Sequence, residues 1–169
     1  MLACSGPQKK PDPNREIFPA PSSAVDFTLP MLGGGSLTLS SLRGKPVLLA
    51  LFSTWDMRCQ AEAPLFTRLR ERYGPRGLEV IGVSVAAPGN RSVVLVKTYV
   101  EVMGLRHTVL LAKPQDLELV GALGKIRQVP RTVLLDSRGR VVFDMVGHTD
   151  FPALRRRLDR LLPAPTVKK

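Results

Sequence analysis

Cysteine is scarce in this chain: 169 residues contain two, Cys4 and Cys59. That excludes a small fold stapled by disulfides. The two are also poor partners for each other, because a bridge would have to tie down the Pro-rich leader that holds Cys4. Histidine is equally sparse. His107 and His148 lie far apart without metal-ligand spacing and read as surface or loop residues, so no metal and no cofactor are expected. Aromatic residues make up 5% of the chain, with a single Trp, which leaves no stacking platform for nucleic acid. No apolar run approaches the ~18 residues of a membrane-spanning helix; the longest, Val47–Phe52, has the length of a strand. Acid is short as well. Fourteen Asp and Glu face 25 Lys and Arg, for a net charge of +11, and Arg155, Arg156, Arg157, Arg160, Lys168 and Lys169 crowd the carboxyl end. Such charge suits an anionic membrane face or nucleic acid. Scattered as it is, it reads first as a solvated helix face, and no nucleic-acid partner is expected.

What is present is one domain's worth of core. With 44% of the whole chain apolar, residues 25–163 are expected to form a single compact unit between a leader, residues 1–24, and a short basic tail, residues 164–169. The leader carries five prolines and no apolar periodicity, the composition of an extended linker. Its opening, Met-Leu-Ala-Cys followed by Ser-Gly, resembles the end of a bacterial lipoprotein signal, with Cys4 as the residue to be lipidated. An acylated Cys4 on a Pro-rich tether would hold the domain at a membrane of the cell envelope, facing periplasm or exterior. The alternative is a chance match in a short cytoplasmic leader.

From Val25 onward short strands alternate with helices. DFTL and GGGSLTLSSL predict a hairpin around glycines 33–35. KPVLLALFS is an unbroken apolar run, as in a strand buried on both faces. A helix is predicted over 56–73, with Leu65, Leu69 and Tyr73 on its inner face and Gly74-Pro75 as its stop. LEVIGVSVA is a second buried strand. Val93, Val96, Val100 and Met103 predict a helix, TVLLA a strand, and QDLELVGALG another short helix. VPRTVLLDSRGRVVFDMVG reads as a hairpin turning at 137–139, and residues 150–162 as a final helix capped by Asp150, with Leu154, Leu158, Leu161 and Leu162 inward. The order implies an α/β sandwich with parallel central strands and an antiparallel pair at the end.

These landmarks, in this order, resemble the envelope thioredoxin-like thiol-disulfide oxidoreductases of the TlpA/ResA type. The residues that carry the likeness are DFTLP at 26–30, LTLSSLRGKPVLLALF at 37–52, Thr54-Trp55, Cys59, Glu62, Pro64, LEVIGVSV at 78–85, VPRTVLLDSRGRVV at 129–142 and GHTD at 147–150. The resemblance implies a thioredoxin-like α/β fold: a central mixed sheet flanked by helices, with an N-terminal β-hairpin extension. It also implies a Trp-Cys-x-x-Cys site at the start of the long helix, facing a cis-proline. Here the matching positions are Trp55, Asp56 and Cys59, with Val129-Pro130 as the expected cis peptide.

The site is therefore DxxC where the family has CxxC. A dithiol cycle needs one thiolate to attack and a second sulfur to resolve the mixed disulfide, and Asp56 stands where the attacker should be. A carboxylate there is a good N-cap on the positive end of the helix. Cys59 reads as a shielded thiol. Arg58 beside it would lower its pKa and a charged Glu62 would oppose ionisation; Glu62 itself is read as a tuning group, a remnant or a surface residue. Pro64 should bend the helix.

Two functions stay open. One is a binding or vestigial redox module that holds a protein or peptide partner in a groove of Trp55, Asp56, Met57, Arg58, Val129 and Pro130. The other is a one-cysteine redox protein in which Cys59 works with an external thiol reductant. A peroxiredoxin version is disfavoured, since that family sets a Thr three residues before its cysteine and Thr54 lies five before Cys59.

Overall fold

The computed structural model describes residues 24–85, 93–113, 116, 123, 126 and 128–164. Cys4, most of the leader and tail, and nearly all of the helix expected at QDLELVGALG lie outside the described residues.

Along the chain, β1 (Thr28–Pro30) and β2 (Ser36–Thr38) form the expected antiparallel hairpin. There follow β3 (Val47–Phe52), α1 (Met57–Tyr73), β4 (Glu79–Val85), α2 (Val93–Val102), β5 (Thr108–Ala112), β6 (Arg131–Leu135), β7 (Val141–Val146) and α3 (Phe151–Leu161). The five-stranded sheet has the order β5-β4-β3-β6-β7. β3, β4 and β5 run parallel, while β6 and β7 are antiparallel to their neighbours. The hairpin extends the edge of the sheet: Leu32 donates its N–H to the carbonyl of Val109, and Met31 bridges to Leu110.

β3 is the central strand and all six of its residues are buried, as its unbroken apolar run requires. Period-two alternation sends its side chains to opposite faces. Val47, Leu49 and Leu51 meet Phe27, Leu29, Leu39 and Leu123 on one face. Leu48 and Ala50 meet Phe66, Leu69 and Tyr73 of α1 and Leu154 and Leu158 of α3 on the other. The start of α1 is thereby fixed where β3 ends.

Several details differ from the sequence reading. The inner face of α1 is Cys59, Glu62, Ala63, Phe66, Leu69 and Tyr73, and Leu65 is only half-buried. Leu69 and Tyr73 belong to this face as expected, and Phe66 takes the place expected of Leu65. α1 runs through Pro64 and ends at Tyr73. Gly74 stays in right-handed conformation within a single 3-10 turn, and the left-handed reversal falls at Gly77, φ 101°. In α2 the fully buried residue is Tyr99; Val96, Val100 and Met103 of the expected row are half-buried against the same cluster, and Val93 is exposed. α3 follows the expectation, capped by Asp150, with Leu161 half-buried.

Candidate functional site

Asp56 has extended backbone and caps α1: its Oδ1 accepts from the N–H of Arg58 at 2.8 Å and of Cys59 at 3.4 Å. Arg58 folds back on the same carboxylate, with Nε 3.1 Å from Oδ1 and a guanidinium nitrogen 2.6 Å from Oδ2. The Arg58 side-chain bonds, first, and the two backbone N–H bonds hold the Asp56 carboxyl below its ordinary range. Arg58 also donates to the carbonyl of Val129 at 3.0 Å, which ties the start of α1 to the loop before β6. The Val129–Pro130 peptide bond in that loop is cis. Trp55, 51% exposed, and Met57, 80% exposed, present apolar surface beside this pair.

Cys59 lies one turn inward, buried among Phe52, Ala63, Tyr99 and Val109, and is a free thiol. Burial pushes its pKa up to about 11. The Ser53 backbone N–H offsets a part of this, and the charges of Asp56 and Glu62 add to the rise. Arg58 lowers the thiol pKa as expected, but burial outweighs it. The guanidinium is spent on Asp56 and Val129, and its pull on the sulfur is the weakest of the influences acting there.

Glu62 is neither a remnant on the surface nor exposed: its side chain is 1% accessible. It accepts from the Thr149 N–H at 2.6 Å and from the Thr149 hydroxyl at 2.9 Å, and His148 Nδ1 lies 2.9 Å away. Thr149 in turn bonds Thr132 of β6 at 2.8 Å. Desolvation raises the Glu62 pKa in spite of these bonds. This raised carboxyl stands one turn beyond the Cys59 thiol.

A small internal cavity, about 20 Å³, is lined by Cys59, Glu62, Tyr99, His107 and Pro130 among others. His107, read from the sequence as a surface group, is buried, and burial lowers its pKa to about 4, so it is neutral at pH 7. Its ring packs where Gly82 has no side chain; a Cβ there would stand 3.2 Å from His107 Nε2 and from Phe52. The Tyr99 hydroxyl and His107 Nδ1 have no partner among the described residues, and the cavity has room for about one water to satisfy them. Burial raises the Tyr99 pKa, so the hydroxyl keeps its proton.

Next to the cis-proline, Arg131 forms a buried two-point ion pair with Asp144 at 2.8 and 2.6 Å and donates to the carbonyl of Leu123. This pair lies on the face of the sheet where Leu51 and Leu123 pack. His148 and Thr149 fall in the GHTD stretch at 147–150, whose link to Glu62 no local pattern signals. The pairing of Arg131 with Asp144 and the burial of Tyr99 and His107 likewise arise from contacts distant in the chain. No group of three or more metal-ligating side chains occurs among the described residues.

Against known proteins, residues 21–144 match the AhpC/TSA family. The chain is 32% identical over 129 residues to the thiol-disulfide oxidoreductase ResA of Halalkalibacterium halodurans, covering 76% of this chain and 69% of that one. With ResA of Bacillus thuringiensis the identity is 28% over 150 residues, covering 89% and 83%. Among solved structures, a DsbF homologue from Corynebacterium diphtheriae superposes with a TM-score of 0.76 at 20% identity, covering 91% of this chain and 98% of that one.

Proposed function

This chain belongs to the AhpC/TSA family, among the thioredoxin-like thiol-disulfide oxidoreductases of ResA type, and from that premise we propose that it is a member without a dithiol cycle of its own that acts by binding. The observation that carries the reading is the state of the two site positions. Asp56, at the attacker's place, is committed to the helix cap and to Arg58, and Cys59 is a buried thiol with its pKa near 11. A carboxylate cannot enter a disulfide, and a thiol so protected is a poor nucleophile at neutral pH.

The surface left for work is the exposed pair Trp55 and Met57 next to Arg58 and the Val129–Pro130 loop. Apolar area beside a guanidinium and a loop backbone suits an extended segment of a protein partner. We place the protein in the cell envelope, tethered through acylated Cys4; mass spectrometry of the mature amino terminus tests that placement, and an unmodified leader rejects it.

The test of function is reduction of an insulin-type disulfide substrate by a thiol, with and without the protein. The natural chain is expected to add nothing to the uncatalysed rate, and Asp56→Cys to add turnover. Equal turnover by both refutes the proposal.

A further inference from the structure

On the outer surface, away from the helix cap, α1 and α3 enclose a groove of about 290 Å³ lined by Leu65, Arg68, Leu69, Arg72, Phe151 and Arg155. Its floor is apolar: Leu69 is buried, and Leu65 and Phe151 are half-buried. Its rim is three exposed guanidiniums from two helices. Helical spacing stacks Arg68 and Arg72 one turn apart on α1, with Arg155 contributed by α3. None of the three is in a salt bridge among the described residues; Arg72 lies over the Tyr73 ring at 5.5 Å. The lining contains no carboxylate. Of the nearby acids, Asp159 is paired with Arg76 at 2.7 Å and feels Arg72 more weakly, and Asp150 caps α3.

Three guanidiniums around one depression whose lining holds no acid make a favourable place for an anion, and their planar donors suit phosphate oxygens. A charged rim over an apolar floor calls for a ligand with both characters. We propose that the α1–α3 groove docks an anionic phospholipid of a membrane surface, the phosphodiester held by Arg68, Arg72 and Arg155 and the adjoining apolar part lying on Leu65, Leu69 and Phe151. A membrane fits better than a single acidic segment because exposed Arg156 and Arg160 carry the positive face of α3 beyond the groove, as a repeating anionic surface requires. The net charge of +11 adds long-range attraction.

The test is co-sedimentation of the full, unacylated chain with vesicles of phosphatidylglycerol and phosphatidylcholine in equal parts, against vesicles of phosphatidylcholine alone. Binding is expected only with the first. The triple variant Arg68→Gln, Arg72→Gln, Arg155→Gln should lose at least about tenfold in affinity. A control with the same charge change on other exposed sites, Lys97→Gln, Arg106→Gln and Arg138→Gln, should stay within about threefold. Equal losses in the two triples overturn the groove in favour of diffuse charge. Leu65→Gln, which keeps every arginine, should also weaken binding, and unchanged binding overturns the role of the floor. In amide NMR, short-chain phosphatidylglycerol should shift the signals of α1 and α3 around the groove. Equal shifts with inorganic phosphate, or a groove that ignores vesicles and takes an acidic peptide, overturn the lipid assignment.

Discussion

Glu62 and Thr149, 87 residues apart in the chain, meet through two hydrogen bonds of 2.6 and 2.9 Å with the carboxyl almost wholly buried. This contact staples the middle of α1 to the turn between β7 and α3. It makes Glu62 a structural tie as well as a titratable group near Cys59.

Glu62→Ala should therefore lower stability by about 1–3 kcal/mol in denaturant unfolding, because the Thr149 N–H is left buried without an acceptor. The pH dependence follows from the raised pKa. The native state holds the Glu62 proton up to a higher pH than the unfolded chain, so stability falls as pH rises from the ordinary value of 4.5 through the folded pKa and is level above it. Glu62→Gln should remove that fall. Unfolding curves collected from pH 4 to 8 in which natural chain and variant keep a constant difference contradict this assignment.

Cys59 should resist alkylation. With its pKa near 11 against an ordinary 9.0, its thiolate fraction at neutral pH is reduced by about a hundredfold, and burial slows access further. Iodoacetamide should label Cys59, followed by peptide mass spectrometry to separate it from Cys4, at least about a hundred times faster in the unfolded chain than in the native one. Rapid native labelling of Cys59 at pH 7 would show a reactive thiol and revive the one-cysteine redox reading.

Asp56→Ala removes the cap of α1 and the partner of Arg58 together, and should cost about 0.5–2 kcal/mol. Asp56→Asn keeps a capping oxygen and should cost less. Because the Asp56 pKa is lowered on folding, its charge contributes above the ordinary value of 3.8 and is lost as pH falls through the folded value, so natural chain and Asn variant should converge in strong acid. Thermal unfolding at pH 2 and pH 7 measures this.

Asp144→Ala strands the buried guanidinium of Arg131 and should destabilise the protein by about 3–5 kcal/mol. Replacing both partners by apolar residues of similar volume should recover much of the loss. A single variant that unfolds at the natural denaturant midpoint would mean that water reaches Arg131.

Much of the fold was legible in the chain because it rests on local, repeating signals. The apolar run of β3, the turn residues of the two hairpins and the Asp caps of α1 and α3 each declare themselves within a few neighbouring residues. The helices' buried faces were legible in part. On α1 Phe66 joins Leu69 and Tyr73 in place of Leu65, and on α2 Tyr99 joins Val96, Val100 and Met103, since docking angle selects among neighbouring apolar rows that sequence alone leaves equivalent.

Residue identity alone places one cysteine in residues 25–163, with a carboxylate three residues before it, whatever the packing. How those groups behave was settled by folding. Arg58, adjacent to Cys59, turned to Asp56 and the Val129 carbonyl, and His107 and Glu62, 45 residues apart in the chain, became buried neighbours of one small cavity. Residue identity sets which protons and electron pairs exist, whereas desolvation and partners brought from distant strands set their energies, and those depend on three-dimensional surroundings that no local pattern encodes.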